Sequence, residues 1–235
     1  MNFIEGEYIY INKPYRMTSF GALAYVRTRI SKKMGVKRVK TGHAGTLDPL
    51  ATGVLILCTG RKTKDIERLQ TDTKEYTATL QLGATTPSYD MEHEVDQTYP
   101  TAHITRERIV SVLAGFVGEI QQVPPAYSAC KIGGDRAYEL MRKGREVDLQ
   151  AKTVRIDEVE LTAFDPVTML MSIRVVCGKG TYIRSLARDI GQALDSGAYL
   201  TALCRTRIGN VRLEQCLTLD DFSQWLEEQE ITETA

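Results

Sequence analysis

Apolar positions along the chain change their period several times, and each change marks an element. Tyr8-Ile9-Tyr10-Ile11 reads as a short strand. Leu23, Val26 and Ile30 share one helical face, with Thr18 or Ser19 placed to cap it. Val54 to Leu57 is a continuous apolar run, as in a buried strand. Tyr76, Ala78, Leu80 and Leu82 alternate with polar residues, the mark of a half-exposed strand. Residues 83–103 mix Thr, Pro, Asp and His without period and read as a loop. Ile109, Val112, Leu113, Phe116 and Val117 predict an amphipathic helix. Arg136 to Lys143 reads as a short helix closed by Gly144. Val154 to Phe164 and Thr168 to Cys177 are long strand patterns, joined as a hairpin at Asp165-Pro166. Ile183, Leu186, Ala187, Ile190 and Leu194 form a helical stripe that ends near Gly197. Arg207 to Leu213 reads as a last strand, followed by a helix around Phe222 and Trp225. Long antiparallel signals interleaved with helices predict an α+β fold, with a mixed, mostly antiparallel sheet flanked by helices.

Composition narrows the class. At 235 residues, 43% of them hydrophobic, the chain fits one large domain. The expected organisation is a catalytic domain over residues 1–219 and an acidic helix or tail over 220–235. Apolar runs all fall short of the roughly 18 residues that a membrane span needs. The N-terminal residues Met-Asn-Phe-Ile-Glu-Gly-Glu are acidic and lack the apolar core of a secretory signal. The five cysteines are scattered and include no Cys-x-x-Cys pair, and there are only three histidines. Neither a metal site nor a disulfide framework is expected, and a reducing cytoplasm fits.

Charge is balanced overall, with 30 basic and 30 acidic residues. Such a protein does not hold nucleic acid by net charge alone. The distribution is uneven, however. Arg27, Arg29, Lys32, Lys33, Lys37, Arg38 and Lys40 form a basic run with no acid between them. From Glu214 onward there are acids and no base. A basic run by itself is a solvated helix face. This one leads directly into a glycine-rich loop, where it would suit a phosphate backbone.

That loop, Gly42-His43-Ala44-Gly45-Thr46-Leu47-Asp48-Pro49, continues into Leu50-Ala51-Thr52-Gly53-Val54-Leu55. Its glycines permit backbone angles closed to other residues and let a ligand approach the main chain. Pro49 fixes the turn after Asp48 and biases Asp48 toward an extended conformation. An Asp-Pro pair alone marks only an ordinary turn. Here the pair presents a single acid on a loop at a strand edge. The whole block from Gly42 to Gly53 resembles the signature of the TruB family of tRNA pseudouridine synthases, in which the aspartate is catalytic.

Three further blocks carry the same resemblance. They are Lys179-Gly180-Thr181-Tyr182-Ile183-Arg184, Pro124-Pro125-Ala126-Tyr127-Ser128-Ala129-Cys130-Lys131 with the segment after it (Gly134, Ala137-Tyr138-Glu139, Arg142), and Lys13-Pro14 with Thr18-Ser19. Together they cover nearly all of residues 10–220. The resemblance implies the pseudouridine synthase fold and the isomerisation of tRNA uridine 55 on the T stem-loop. That reaction needs no cofactor and no metal. It implies Asp48 as the catalytic carboxylate, acting as nucleophile or as base. A buried carboxylate keeps its charge only beside a cation, and by resemblance Arg184 is that partner. Tyr76 matches the tyrosine that stacks on the extruded base, and Tyr182 lines the pocket. His43 matches a contact to the RNA near the flipped nucleotide, and Leu203 a leucine lining the uracil pocket. Taken singly, Tyr76 reads as strand packing, Leu203 as core, His43 as a loop histidine and Arg184 as half of a surface ion pair. Tyr127 and Lys131 are expected to be structural or to touch the RNA backbone.

The chain departs from the family pattern in three places. Arg16 stands where glycine is usual, so the turn after Pro14 is expected to differ locally. Residues Thr86-Pro87-Ser88-Tyr89-Asp90-Met91-Glu92-His93 keep only Thr86 and Asp90 of a common pattern, and this loop is set outside the proposed chemistry. A C-terminal PUA-type RNA-binding domain is expected to be lacking. No protein partner or membrane is implied, and a monomer is expected. Two other readings stay open: an RNA-binding protein that lost activity, and the same chemistry on another RNA. A pure binder has little reason to keep an aspartate against a polyanion.

Overall fold

The computed structural model describes residues 1–128, 131–132, 135–136 and 149–232. It divides into two compact units, Met1–Tyr76 with Cys204–Ala235, and Thr77–Leu203. A nine-stranded mixed sheet has the order β1 (Tyr8–Lys13), β3 (Thr52–Thr59), β12 (Ala198–Ile208), β4 (Lys74–Leu82), β11 (Leu170–Cys177), β10 (Lys152–Asp165), β7 (Gly118–Gln122), with β2 (Thr41–His43) paired to β3 and β13 (Val211–Arg212) to β12. This agrees with the expected α+β class. Among the described residues, no helix is long and apolar enough to cross a membrane.

In the first unit the chain forms β1 (Tyr8–Lys13), α1 (Ser19–Lys33), β2 (Thr41–His43), β3 (Thr52–Thr59) and the short α2 (Ile66–Leu69). Near its end come β13 (Val211–Arg212) and α5 (Leu219–Glu228). Strand β4 (Lys74–Leu82) begins in this unit, and β12 (Ala198–Ile208) ends in it. The apolar run of β3 has a simple cause. Leu55 and Leu57 pack with Ile9, Ile11, Val26, Ile30 and Phe222, whereas Val54, Ile56 and Cys58 pack with Ala44 and Ile208. A strand buried on both faces loses its alternation. β1, covered less evenly, keeps it, with Ile9 and Ile11 buried.

Helix α1 is capped by Thr18, whose side chain accepts from the Gly21 N–H. Its expected stripe, Leu23, Val26 and Ile30, is buried. Helix α5 begins with a reciprocal Thr218–Asp221 capping box and buries Phe222 and Leu226. The Lys33 ammonium donates to the carbonyls of Leu226 and Glu227, placing a cation at the negative end of α5.

The turn between β1 and α1 holds Arg16 at φ 60°, the left-handed region that favours glycine. Arg16 thus stands in a backbone conformation that suits the glycine usual at this position. An L-residue there costs about 1–2 kcal/mol, and the looser unfolded chain of glycine offsets part of any relief. Arg16→Gly is expected to raise the melting temperature by about 1–3 °C, read by calorimetry.

The second unit is built from the rest of β4, the pair β5 (Ala84–Thr85) and β6 (Gln97–Thr98), and α3 (Arg106–Ala114). Then follow β7 (Gly118–Gln122), β8 (Lys131–Ile132), β9 (Asp135–Arg136), β10 (Lys152–Asp165), β11 (Leu170–Cys177), α4 (Ile183–Ala193) and the start of β12. The β10–β11 hairpin forms as expected, paired from Ile156↔Cys177 to Asp165↔Leu170. The stripe Ile183, Leu186, Ala187, Ile190 and Leu194 is fully buried along α4.

Three expectations need correction. Residues 83–103 contain the β5–β6 pair, joined at Ala84↔Thr98 and Thr85↔Gln97. Helix α3 stops at Ala114, with Gly115, a poor helix former, as its C-cap at φ −72°, so Phe116 and Val117 lie beyond it and Val117 is exposed. The single strand expected over 207–213 is a hairpin. β12 ends at Ile208, Gly209 turns at φ 54°, and β13 pairs back at Arg207↔Arg212 and Ile208↔Val211. Gly209-Asn210 is the two-residue turn that the pattern reading passed over. The first half of β12 and all of β7 had no strand signal strong enough to be named. The helix expected over 136–143 lies outside the described residues, except for Arg136, which is in β9.

Candidate active site

The loop that carries Asp48 leaves the sheet after β2, whose His43 pairs with Leu57. The Ala44 N–H still donates to the Ile56 carbonyl at 2.9 Å, and then Gly45 turns the chain at φ 105°. From there every second residue is pinned. The Gly45 carbonyl accepts from Arg205 Nη2 at 3.1 Å. Ser19 Oγ accepts from the Leu47 N–H at 2.8 Å and donates to its carbonyl at 3.1 Å. The Pro49 carbonyl accepts from Lys13 Nζ at 3.3 Å. Asp48 itself closes the turn, its carbonyl accepting from the Ala51 N–H at 3.1 Å. Its side chain is half-buried. A carboxylate between two pinned neighbours loses little conformational freedom when it meets a substrate.

Register explains how two buried cations come to serve one loop. Gly53 of β3 pairs with Lys13 of β1 on one side and with Arg205 of β12 on the other. Lys13 is fully buried and Arg205 is 2% exposed. Arg205 also donates from Nε to the Val54 carbonyl at 2.9 Å. Lys13 donates to the carbonyls of Pro14 and Met17, at 2.9 and 2.6 Å, besides that of Pro49. Burial pushes the Lys13 ammonium down to about 8 from its ordinary 10.5. The negative charge of Asp48 opposes that shift, and the positive charge of Arg205 adds to it.

The sign of the pH effect follows. Between pH 8 and 10.5 the unfolded chain keeps the Lys13 proton and the folded chain releases it, so this group adds stability as pH rises through that window. Over the same window a neutral amine has one donor fewer for three carbonyls, which loosens the loop. The urea stability of wild type relative to Lys13→Met is expected to rise by about 1–3 kcal/mol from pH 7.5 to 10.5. A flat difference would show that Lys13 does not titrate there.

His43 lies at the start of the same loop. Burial lowers its pKa, the charge of Arg205 lowers it further, and a hydrogen bond with the Gly45 backbone opposes both. The ring is therefore neutral at physiological pH, suited to lie against a base. Tyr76 sits in β4 in phase with the buried Ala78, Leu80 and Leu82, and is 8% exposed. A cleft of about 600 Å³ in this unit opens beside Lys13, Thr52 and Cys204 and is lined by none of the six expected site residues.

The other three expected residues belong to the second unit. Tyr182 is the N-cap of α4, its backbone N–H donating to Gln122 Oε1 at 2.8 Å, and its side chain is half-buried. Arg184 lies in the first turn of α4 and is 3% exposed. Nη1 donates to the Ser88 carbonyl at 3.2 Å and Nη2 to the Tyr127 carbonyl at 2.9 Å, and Nε lies 3.7 Å from Asp90 Oδ2. Leu203 is half-buried near the middle of β12. The Tyr127 ring packs against His93 at 4.6 Å, and the Tyr127 carbonyl accepts the hydrogen bond from Arg184. The side chain of Lys131 lies outside the described residues, as do Ala129, Cys130, Gly134, Ala137, Tyr138, Glu139 and Arg142.

Asp90 is a support that sequence reasoning passes over. Of the two retained positions in the loop of residues 86–93, Asp90 faces Arg184 and Thr86 braces Asp90, while Ser88 adds a carbonyl to the guanidinium. Asp90 is buried and faces the guanidinium, and Thr86 Oγ1 donates to the Asp90 carbonyl at 2.7 Å. The signal was present: Thr86 and Asp90 were the only two residues kept of a longer pattern. Serine 19 and Arg205 were missed in a different way, since neither is distinctive until the strands are paired. Among the described residues, no three His, Cys, Asp or Glu side chains come together to hold a metal.

Comparison with known proteins bears on what such a loop does. Residues 32–183 match the model of the TruB family pseudouridylate synthase N-terminal domain. Residues 184–235 match that of the tRNA pseudouridylate synthase B C-terminal domain. The chain is 60% identical over 233 residues to the tRNA pseudouridine synthase B of Phocaeicola vulgatus, covering 99% of this chain and 98% of that one. It is 61% identical over 233 residues to the protein of the same name from Bacteroides thetaiotaomicron, with 98% and 97% covered. Among solved structures it resembles a chain in the crystal structure of a Cbf5-Nop10-Gar1 complex, with TM-score 0.69 and 29% identity. That likeness takes in 96% of this chain but only 56% of the longer one.

Proposed function

The chain belongs to the TruB family of pseudouridylate synthases, and from that premise we propose that it converts uridine 55 in the T loop of tRNA to pseudouridine, with Asp48 as the catalytic carboxylate. The observation that carries this reading is the pinning of Gly45, Leu47 and Pro49 around Asp48. In the reaction the bond between uracil N1 and ribose C1′ breaks, the base turns, and a C5–C1′ bond forms while the C5 proton leaves. All atoms of the substrate stay in the product except that proton, which N1 regains from solvent. One ionised carboxylate at the ribose suffices, as nucleophile at C1′ or as base.

Each remaining residue has a part in this reading. By resemblance to the family, Arg184, oriented by Asp90 and two carbonyls, is the cationic residue of the reaction. Tyr76 stacks on the extruded uracil, while Tyr182 and Leu203 close its pocket. The neutral His43 lies against the RNA where the flipped base has left the stack. The enzyme acts in the cytoplasm as a monomer on the T stem-loop, and RNA of this kind is read by shape and splayed bases.

The test uses purified protein and a T stem-loop RNA tritiated at uridine C5. Stoichiometric release of tritium, with pseudouridine found at the T-loop position, is expected. Turnover confined to an unrelated RNA would overturn the substrate assignment, and failure of any RNA to release tritium would overturn the activity.

A further inference from the structure

The turn and helix that follow Lys13 carry aromatic side chains outward. Phe20, in the first turn of α1, is 64% exposed, and Tyr15 is 47% exposed. Apolar side chains scattered singly on a surface are ordinary, but these are two aromatic rings five residues apart on one turn and the helix after it. Each has a guanidinium over its face. Arg16 lies 5.5 Å from the centroid of Tyr15, and Arg27 lies 5.8 Å from that of Phe20. Arg27 also begins a cleft of about 340 Å³ lined by Ser31, Lys32, Lys37 and Arg38. The aromatic pair and the basic cleft are thus joined through one arginine.

The basic run is not uniform in its use. Arg29 stacks on Tyr25 and donates to Ser223, and Lys33 holds the end of α5. Those two serve the fold. Lys32, Lys37, Arg38 and Lys40 are exposed. Among the described residues, none of Arg16, Arg27, Lys32, Lys37 or Arg38 is paired with a carboxylate. The same turn braces the Asp48 loop through Lys13 and Ser19. A ligand on Tyr15 and Phe20 is therefore next to the loop and not remote from it.

Resting on the reading that this chain modifies RNA, the geometry points to a second RNA surface in which unpaired nucleotides outside the target stem-loop stack on Tyr15 and Phe20 while their phosphates run along Arg27, Lys32, Lys37 and Arg38. Flat rings beside unpaired cations suit single-stranded nucleic acid, because every base has a face to stack and every nucleotide a phosphate. An acidic protein would use the cations and leave the rings idle. Arg16 fits this surface as well, since its left-handed backbone presents a guanidinium where a glycine would present none.

The experiment compares two RNAs, the bare T stem-loop and full-length tRNA, by fluorescence anisotropy and by tritium release. Tyr15→Leu/Phe20→Leu keeps apolar bulk and removes stacking. It is expected to weaken full-length tRNA binding about tenfold, with binding and kcat on the bare stem-loop unchanged. Lys37→Glu/Arg38→Glu is expected to weaken tRNA binding and to make log Kd depend less steeply on log salt, by about two phosphate contacts. The leucine pair leaves that slope alone. Equal loss on both RNAs, or none on either, overturns the proposal while wild-type turnover keeps the assigned reaction intact. Loss with the charge pair alone points to an electrostatic face without stacking and also overturns it. Absence of wild-type turnover on both RNAs instead removes the functional reading, and the anisotropy arm still decides the surface.

Discussion

Asp48→Asn is expected to lower turnover on T-loop RNA by about 10⁴-fold or more, with RNA binding changed less than fivefold. The amide has nearly the same shape, so the pinning of Gly45, Leu47 and Pro49 stays intact. What is lost is the negative oxygen, which no other described residue of this loop supplies. The melting temperature should move by no more than about 2 °C, which separates lost chemistry from lost structure. Because the Asp48 charge supports the Lys13 ammonium, the variant should also release the Lys13 proton at lower pH. Tritium release and calorimetry on the same preparation check both parts. Residual turnover within tenfold of wild type would remove Asp48 from its assigned role.

Gly53→Ala is expected to be among the most damaging single-methyl changes at the described glycines, alongside Gly60→Ala, whose Cβ would stand 1.9 Å from the Ile4 carbonyl oxygen. At the Gly53 φ of 105° an alanine is strained before any contact is counted. A Cβ there would stand 2.2 Å from the Arg205 carbonyl oxygen and 2.7 Å from its nitrogen. Both are backbone atoms of a paired strand and cannot swing aside as a side chain would. The β3–β12 pairing must open at Arg205↔Gly53. That moves Arg205, whose guanidinium holds Gly45 and Val54. A loss of about 3 kcal/mol, seen as a drop of about 6–12 °C, is expected. Turnover should fall further than stability accounts for, because the Asp48 loop loses one of its three anchors. Gly35→Ala, also at positive φ but with open space around it, is the control for backbone strain alone. Equal effects at the two positions would show that the close approach of β12 does not matter.

The parts of this molecule that were legible in advance are those set by neighbours in sequence. The stripe of α4, the cap of α1, the β10–β11 hairpin and the apolar run of β3 follow from side-chain period and turn chemistry over a few residues. The errors are of the same kind. Gly115 and Gly209 end elements that an apolar count carries through. Asp48, Tyr76, Tyr182 and Arg184, named from motifs, stand on the kind of element expected for them, whereas His43, read as a loop residue, ends β2, and Leu203 lies in a stretch of β12 that no pattern announced. Their supports were not legible. Nothing around Ser19 says that its hydroxyl will hold both backbone groups of Leu47, and nothing around Asp90 says that it will face Arg184.

The sequence by itself determined the class of fold, the family and the one loop acid around which a reaction can be built. Period, capping and motif are local properties, written in residues a few positions apart. Only the tertiary structure decided how that acid is held. Strand register sets Lys13 and Arg205 on either side of Gly53, and both buried cations donate to the backbone carbonyls within reach. Which carbonyls those are depends on pairings between residues 40 to more than 150 positions apart. No local pattern encodes that choice, because it is made by the packing of the whole unit.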